Sequence, residues 1–389
     1  MEYNVISADN HILEPPDTFV ERLPAKFKDK APRVVRGQDG GDGWSVNGAV
    51  PTSTVAMPGG LGVINPDVFS QQDYRTKGRG LTWEEVRPGS YEGAAHVKDM
   101  QADGVDAAVG YLQTSGRIYY ALVDANPDLA LACLQAANDW LVDDFCAADP
   151  KRLVGLCLLP TEHDLDSLQA ETQRMLAKGA KGFHLPYSNP RPYHEDYYDS
   201  IWQAISDAGA VASIHRTDGG RRPAASAAGV GSQDAKKTRW LSVAGTVQRW
   251  FSGIPPLTEM VFTGLFERFP RLKMVDAEVN MGWLPWWTAT MDQEYRKHSY
   301  WSELPMTAPP HTCIGKNIFV TALNDELGFE YAKTDPLLAS AAMFSLDYPH
   351  EVTLWGKTQQ HITQLTAGMD AETKHNILAG NAARVFGLD

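Results

Sequence analysis

Short apolar runs alternate with longer amphipathic segments along most of the chain. The runs occupy residues 4–9, 105–112, 153–159, 181–185, 210–215, 272–277, 317–322 and 342–347. Each is rich in aliphatic residues and too short for an ordinary helix, so each predicts a buried strand. Between them, residues 127–148 keep Leu129, Cys133, Ala136, Trp140 and Phe145 at helical spacing. Residues 196–208 do the same with Tyr197, Ile201, Trp202 and Ile205, and Gly209 then stops the helix. Two closing helices are predicted over 353–367 and 371–386. Strands separated by helices imply βα units and a parallel sheet. Eight such strands suit an α/β fold of the (β/α)8 TIM-barrel type better than an open sheet. No GxGxxG turn follows any of them, so a dinucleotide fold has no support.

Length changes this picture. The chain has 389 residues, whereas a barrel of this kind takes about 250. The surplus falls in three stretches: 31–92, rich in Gly and Pro; 216–256, opening on Gly219-Gly220; and 284–316, rich in Trp and Pro. The expectation is one metal-dependent barrel domain over 1–389 carrying these insertions. The last two follow strand ends, where barrel enzymes build their sites.

Charge and cysteine content narrow the function classes. With 35 Lys+Arg against 48 Asp+Glu the formal charge is −13, which argues against nucleic acid and against anionic membrane surfaces as partners. The four cysteines form no CxxC pair and read as free thiols of a reducing compartment. Residues 1–16 carry neither a basic nor an apolar signal-peptide region, and no run approaches the ~18 apolar residues of a membrane span. A cytoplasmic enzyme is expected.

Polar residues at strand ends suggest its chemistry. Asp9 and His11 are two apart at the end of the first strand, so both side chains share a face and could hold one metal. A helix cap with an incidental histidine would look the same. His184 ends the fourth strand, His215 the fifth, Glu278 follows the sixth and Asp347 ends the eighth. Each alone has a structural explanation, as a core histidine, a helix-dipole acid or an N-cap. Together, at the mouth of a barrel, they favour a metal site.

Several motifs carry a family resemblance: the Asp9-x-His11 start, His215, the stretch from Phe269 to Glu278 with Gly282-Trp283-Leu284-Pro285, Asp347-Tyr-Pro-His350, and the ending from Asn381 to Leu388. The chain resembles the amidohydrolase-related, metal-dependent TIM-barrel branch that includes aminocarboxymuconate-semialdehyde decarboxylase. Against that pattern, the usual His-x-His is Asp9-x-His11, the strand-six histidine is replaced by Glu278, and a bridging strand-four lysine is missing. The implied ligand set is Asp9, His11, His184, His215, Glu278 and Asp347, with Asp347, Glu278 and His215 as the catalytic candidates. Six N/O ligands without a thiolate suit Fe or Mn better than Zn, and exceed what one open metal needs. The alternative is a mononuclear site with His184 outside it.

This ligand pattern resembles in particular the nonheme di-iron monooxygenases of platensimycin and platencin biosynthesis. That resemblance implies two Fe per chain, O2 as co-substrate, an external reductase, and hydroxylation of an apolar carbon on a CoA-linked substrate. Arg221 and Arg222, with Lys236, Lys237 and Arg239, would receive the CoA phosphates. Trp283 and Tyr187 are further substrate-binding candidates, and a homo-oligomer is an open option. The competing reading is redox-neutral: a Mn- or Zn-dependent hydrolase or non-oxidative decarboxylase. Glu14 could cap a turn or reach a second metal, and His350 could orient Asp347.

Overall fold

A computed structural model of the chain describes residues 2–52, 80–220, 243–350 and 352–388. Arg221, Arg222, Lys236, Lys237 and Arg239 lie outside the described residues. The eight barrel strands are β1 (Ile6–Ile12), β2 (Ala107–Leu112), β3 (Leu153–Leu158), β4 (Gly182–Pro186), β5 (Val211–His215), β6 (Lys273–Ala277), β7 (Ile318–Ala322) and β8 (Ala342–Phe344). They hydrogen-bond in sequence order and every pairing is parallel. This is the TIM-barrel arrangement expected from the alternating runs. The strands are apolar on both faces because helices cover the outside and side chains fill the inside.

The seam between β8 and β1 closes through three bonds beyond the regular ladder. Leu346 N donates to Ser7 Oγ at 2.9 Å, Asp347 N to Asp9 O at 2.9 Å, and His11 N to Tyr348 O at 2.7 Å. Alternation along the strands sends Ile6, Ala8, Val109, Tyr111, Val154, Leu156, Val211, Val275, Phe319 and Met343 into the barrel interior. Val385 and Phe386 join that cluster. Lys273, at the start of β6, donates to Arg384 O and Val385 O, which fixes the C-terminal helix Asn381–Phe386 under the barrel's lower end. The open end is therefore the one formed by the strands' C-termini.

Two stretches differ from their sequence reading. Residues 284–316 are not mainly loop: Leu284–His298 forms a 15-residue helix between β6 and β7. Pro285 sits in its first turn, where a missing N–H costs nothing. Trp287 is buried, while Trp286 and Trp301 stand 67% and 60% exposed. The helix read over 127–148 is α-helical only through Trp140 and continues as a looser turn and then a tighter one. Within 31–92, Arg33–Arg36 and Asp42–Ser45 pair as a small antiparallel hairpin. All four cysteines are free. Among the described residues no helix is long and apolar enough to cross a membrane.

Candidate metal centre at the barrel mouth

The site begins with an irregularity in β1. The pairing with β2 shifts between Ser7 and Asn10, and Ser7 Oγ donates to Asn10 Oδ1 at 2.7 Å. Such a bulge re-aims the side chains that follow it. Asp9 and His11 both reach the mouth, where Asp9 Oδ1 lies 3.4 Å from His215 Nε2 and 3.9 Å from His11 Nε2. From the other side of the seam Asp347 Oδ1 approaches His11 Nε2 at 3.2 Å. Asp9, His11 and His215 form one compact group of donor atoms, and His11, Asp347 and His350 a second that shares His11.

These atoms are buried. Asp9 Oδ1, both ring nitrogens of His11, His215 Nε2 and Asp347 Oδ1 have no hydrogen-bond partner among the described residues. Buried polar atoms are otherwise nearly always paired, so this concentration of orphans is a candidate position for a cation. His215 Nδ1 lies 2.9 Å from Thr217 Oγ1. The Thr217 backbone N–H also donates to Nδ1, at 3.3 Å, and the two contacts hold the ring with Nε2 toward Asp9.

The electrostatics agree. Burial lowers the His11 pKa to about 3, with the neighbouring His215 adding to the effect. Burial and His184 push His215 well down, so the imidazoles are neutral. Burial raises Asp9 and Asp347 to about 6 each, against the pull of His11 on the first and His350 on the second. Two carboxylates ionise reluctantly beside neutral rings, the balance that a divalent ion would reverse.

The other sequence candidates stand around this group. Glu278 follows β6 with a left-handed backbone, φ 58°, fixed by its N–H on Thr321 Oγ1 at 2.8 Å. Its Oε2 is 3.7 Å from His215 Nε2, and its Oε1 accepts from Arg216 Nη2. Burial and the charge of Asp347 raise the Glu278 pKa well above the usual range, while Arg216 pulls the other way. His184 is buried and stands outside the two compact groups, its ring 6.0 Å from that of His215 and its Nε2 3.4 Å from Asp218 Oδ2, and both its ring nitrogens also lack a hydrogen-bond partner among the described residues. Tyr187 is partly buried, and its N–H donates to Asp218 O at 2.9 Å. Trp283 donates to Val279 O and packs on Trp287, 5.5 Å between ring centroids. His350 contacts His11 edge-on at 4.2 Å and meets Gln113 Oε1 through Nε2 at 3.1 Å. Glu14 does not reach the mouth's donor groups. It accepts from Thr114 N, Thr114 Oγ1 and Ser115 N, and so caps the helix Ser115–Leu122 that follows β2.

Sequence reasoning missed Arg216, Asp218 and Tyr111. Tyr111 forms the floor, with His215 at 4.9 Å and His184 at 5.2 Å from its ring, and its hydroxyl on Ser213 Oγ at 2.7 Å. Arg216 had a visible signal, a cation placed directly after a strand-end histidine. Asp218 and Tyr111 had none.

Comparison with known proteins adds relatives to this geometry. A family model described as Amidohydrolase matches residues 81–388. The 2-amino-3-carboxymuconate-6-semialdehyde decarboxylase of Dictyostelium discoideum is 23% identical over 80% of this chain and 80% of its own. The crystal structure of amidohydrolase map2389c from Mycobacterium avium subsp. paratuberculosis K-10 aligns with TM-score 0.74 at 18% identity, covering 100% of this chain and 98% of that one. A dihydroxybenzoic acid decarboxylase from Polaromonas sp. JS666, solved with bound manganese and the inhibitor 2-nitroresorcinol, aligns with TM-score 0.63 at 15% identity over 100% and 98% of the two chains. These relatives correct the monooxygenase expectation. The sequence relative is a decarboxylase and so is the metal-bearing neighbour, which carries manganese. Iron, O2, a reductase and a CoA thioester entered with the oxygenase reading and find no support among them.

Proposed function

Because the chain belongs to the amidohydrolase family, we propose that it is a metal-dependent, redox-neutral decarboxylase of a small aromatic or conjugated carboxylic acid. One observation carries this reading: Asp9, His11, His215 and Asp347 converge at the barrel mouth with buried donor atoms that nothing else satisfies. Two carboxylates and two neutral imidazoles form a mixed N/O set that fits a divalent ion of the manganese or zinc type. When bound, such an ion supplies Lewis acidity and orients the substrate's oxygens.

The chain's own residues account for the remainder. In the reaction the carbon–carboxyl bond breaks, its electron pair stays on carbon, CO2 leaves, and a proton takes the vacated position. No electrons pass to or from an external partner. A proton donor is therefore required at the mouth. Glu278 Oε2 stands beside His215 without belonging to the four donors, and its raised pKa suits a group that must arrive protonated. Arg216 on Oε1 then steadies the carboxylate left behind. Tyr111 seals the floor against the barrel interior.

The test is CO2 release from 2,6-dihydroxybenzoate and 5-carboxyvanillate by manganese-loaded protein, with and without air. Equal release under both atmospheres is expected. Turnover that requires O2, or hydrolysis of esters and lactones with no CO2 from any acid, refutes the reading.

A further inference from the structure

Arg216 is a buried cation with spare hydrogen-bonding capacity. Its side chain is 10% exposed, its guanidinium lies under the Trp250 ring at 4.3 Å, and Nη2 donates to Glu278 Oε1. Nε–H is buried and has no partner among the described residues. Its backbone is fixed as well, since Arg216 N donates to Ala277 O at the end of β6. The charge is held where Asp9, Asp347, Glu278 and His215 all feel it. A purely structural ion pair needs only the Glu278 contact. The stacked ring and the unfilled Nε–H present a planar donor edge suited to an anionic oxygen.

Which oxygen follows from the reaction. A carboxylate that departs as CO2 loses its charge on the way to the transition state. A cation gripping it would favour the ground state and slow the step. An oxygen that stays on the product can be gripped throughout without that penalty. Resting on the decarboxylase reading, we propose that Arg216 is the substrate's anchor: its Nε–H receives an anionic oxygen the substrate retains, a phenolate or a second carboxylate, and not the group that leaves. The substrate class is thus an acid with a second anionic oxygen.

The experiment is calorimetric binding to the manganese-loaded protein, comparing wild type with Arg216→Lys and Arg216→Met. One probe is 2-nitroresorcinol, which has an ionisable phenol and no carboxylate; the other is 2,6-dihydroxybenzoate. Loss of a charge-assisted hydrogen bond predicts that both variants weaken both probes by roughly 10- to 100-fold, with metal content and melting temperature unchanged in Arg216→Lys. Weakening of 2,6-dihydroxybenzoate alone would show that Arg216 reads the departing carboxylate and overturns the proposal. Unchanged affinity for both probes also overturns it while leaving the decarboxylase reading intact. Failure of wild type to bind either probe, together with no CO2 release, removes that reading and this inference with it.

Discussion

Replacing Glu14 by Gln tests how the mouth is held together. Glu14 is fully buried three residues past His11. Its carboxylate accepts from Thr114 N at 3.1 Å, Thr114 Oγ1 at 2.5 Å and Ser115 N at 2.7 Å. Glutamine keeps the shape but offers one acceptor oxygen, and its amide N–H groups point at donors. At least one buried donor is left unpaired, at about 1–3 kcal/mol, and the remaining bonds lose their charge assistance. The helix Ser115–Leu122 also loses a carboxylate at its positive end, worth up to about 2 kcal/mol when partly buried. A destabilisation of about 3 kcal/mol is expected for Glu14→Gln, and more for Glu14→Ala, which adds a cavity. Urea unfolding of the metal-free protein measures it as a fall in midpoint with unchanged slope. A loss below about 1 kcal/mol, no larger than an ordinary substitution, would show that this carboxylate does not fasten β1 to the helix after β2.

Three further outcomes are expected. Asp9→Asn and His215→Ala should each cut manganese retained after dialysis by more than about 100-fold, beyond the effect of outer-sphere partners, whereas His184→Ala should leave it unchanged because His184 faces Asp218. Equal losses in all three, measured by elemental analysis, would undo this division. Glu278→Gln should retain the metal yet lower kcat by about 10²- to 10⁴-fold, the range of a lost general acid, and a kcat within threefold of wild type would remove Glu278 as proton carrier. His96, buried between Gly89 O and Asn10 Nδ2, has its pKa lowered by burial from 6.5 to about 4. The unfolded chain therefore takes up the proton first, and the stability this neutral ring preserves is complete above pH 6.5 and drains between 6.5 and 4. At about 1.4 kcal/mol per pH unit the drain is at most about 3 kcal/mol. Urea midpoints at pH 7 and 4.5 should converge in His96→Asn; an unchanged gap would place the acid sensitivity elsewhere.

The barrel was legible because its strands are buried on both faces and so read as unbroken apolar runs. The polar residues that end those runs were legible for the same reason, as exceptions within them. What could not be read was partnership. Glu278 counted as a free carboxylate until Arg216, 62 residues earlier, was seen to hold one of its oxygens. Glu14 was ambiguous because its partners lie about 100 residues on. The step from six donors to a di-iron oxygenase counted residue types without their neighbours. The Trp-rich stretch after β6 misled in the opposite direction: its aromatic and Pro content resembles a loop, yet Leu257, Leu284 and Met291 share one core with Trp287.

The seam between β8 and β1 has a consequence for how the protein is made. Leu346 and Ser7 are bonded across 339 positions of chain, and the donor group at the mouth draws Asp9 and His11 from the first strand and Asp347 from beyond the last. During synthesis the N-terminal strand leaves the ribosome with no partner to close on. The mouth comes together only once residue 347 has emerged. A chain truncated before residue 347 would therefore keep the eight strands yet lack the Asp347 carboxylate that completes the second donor group.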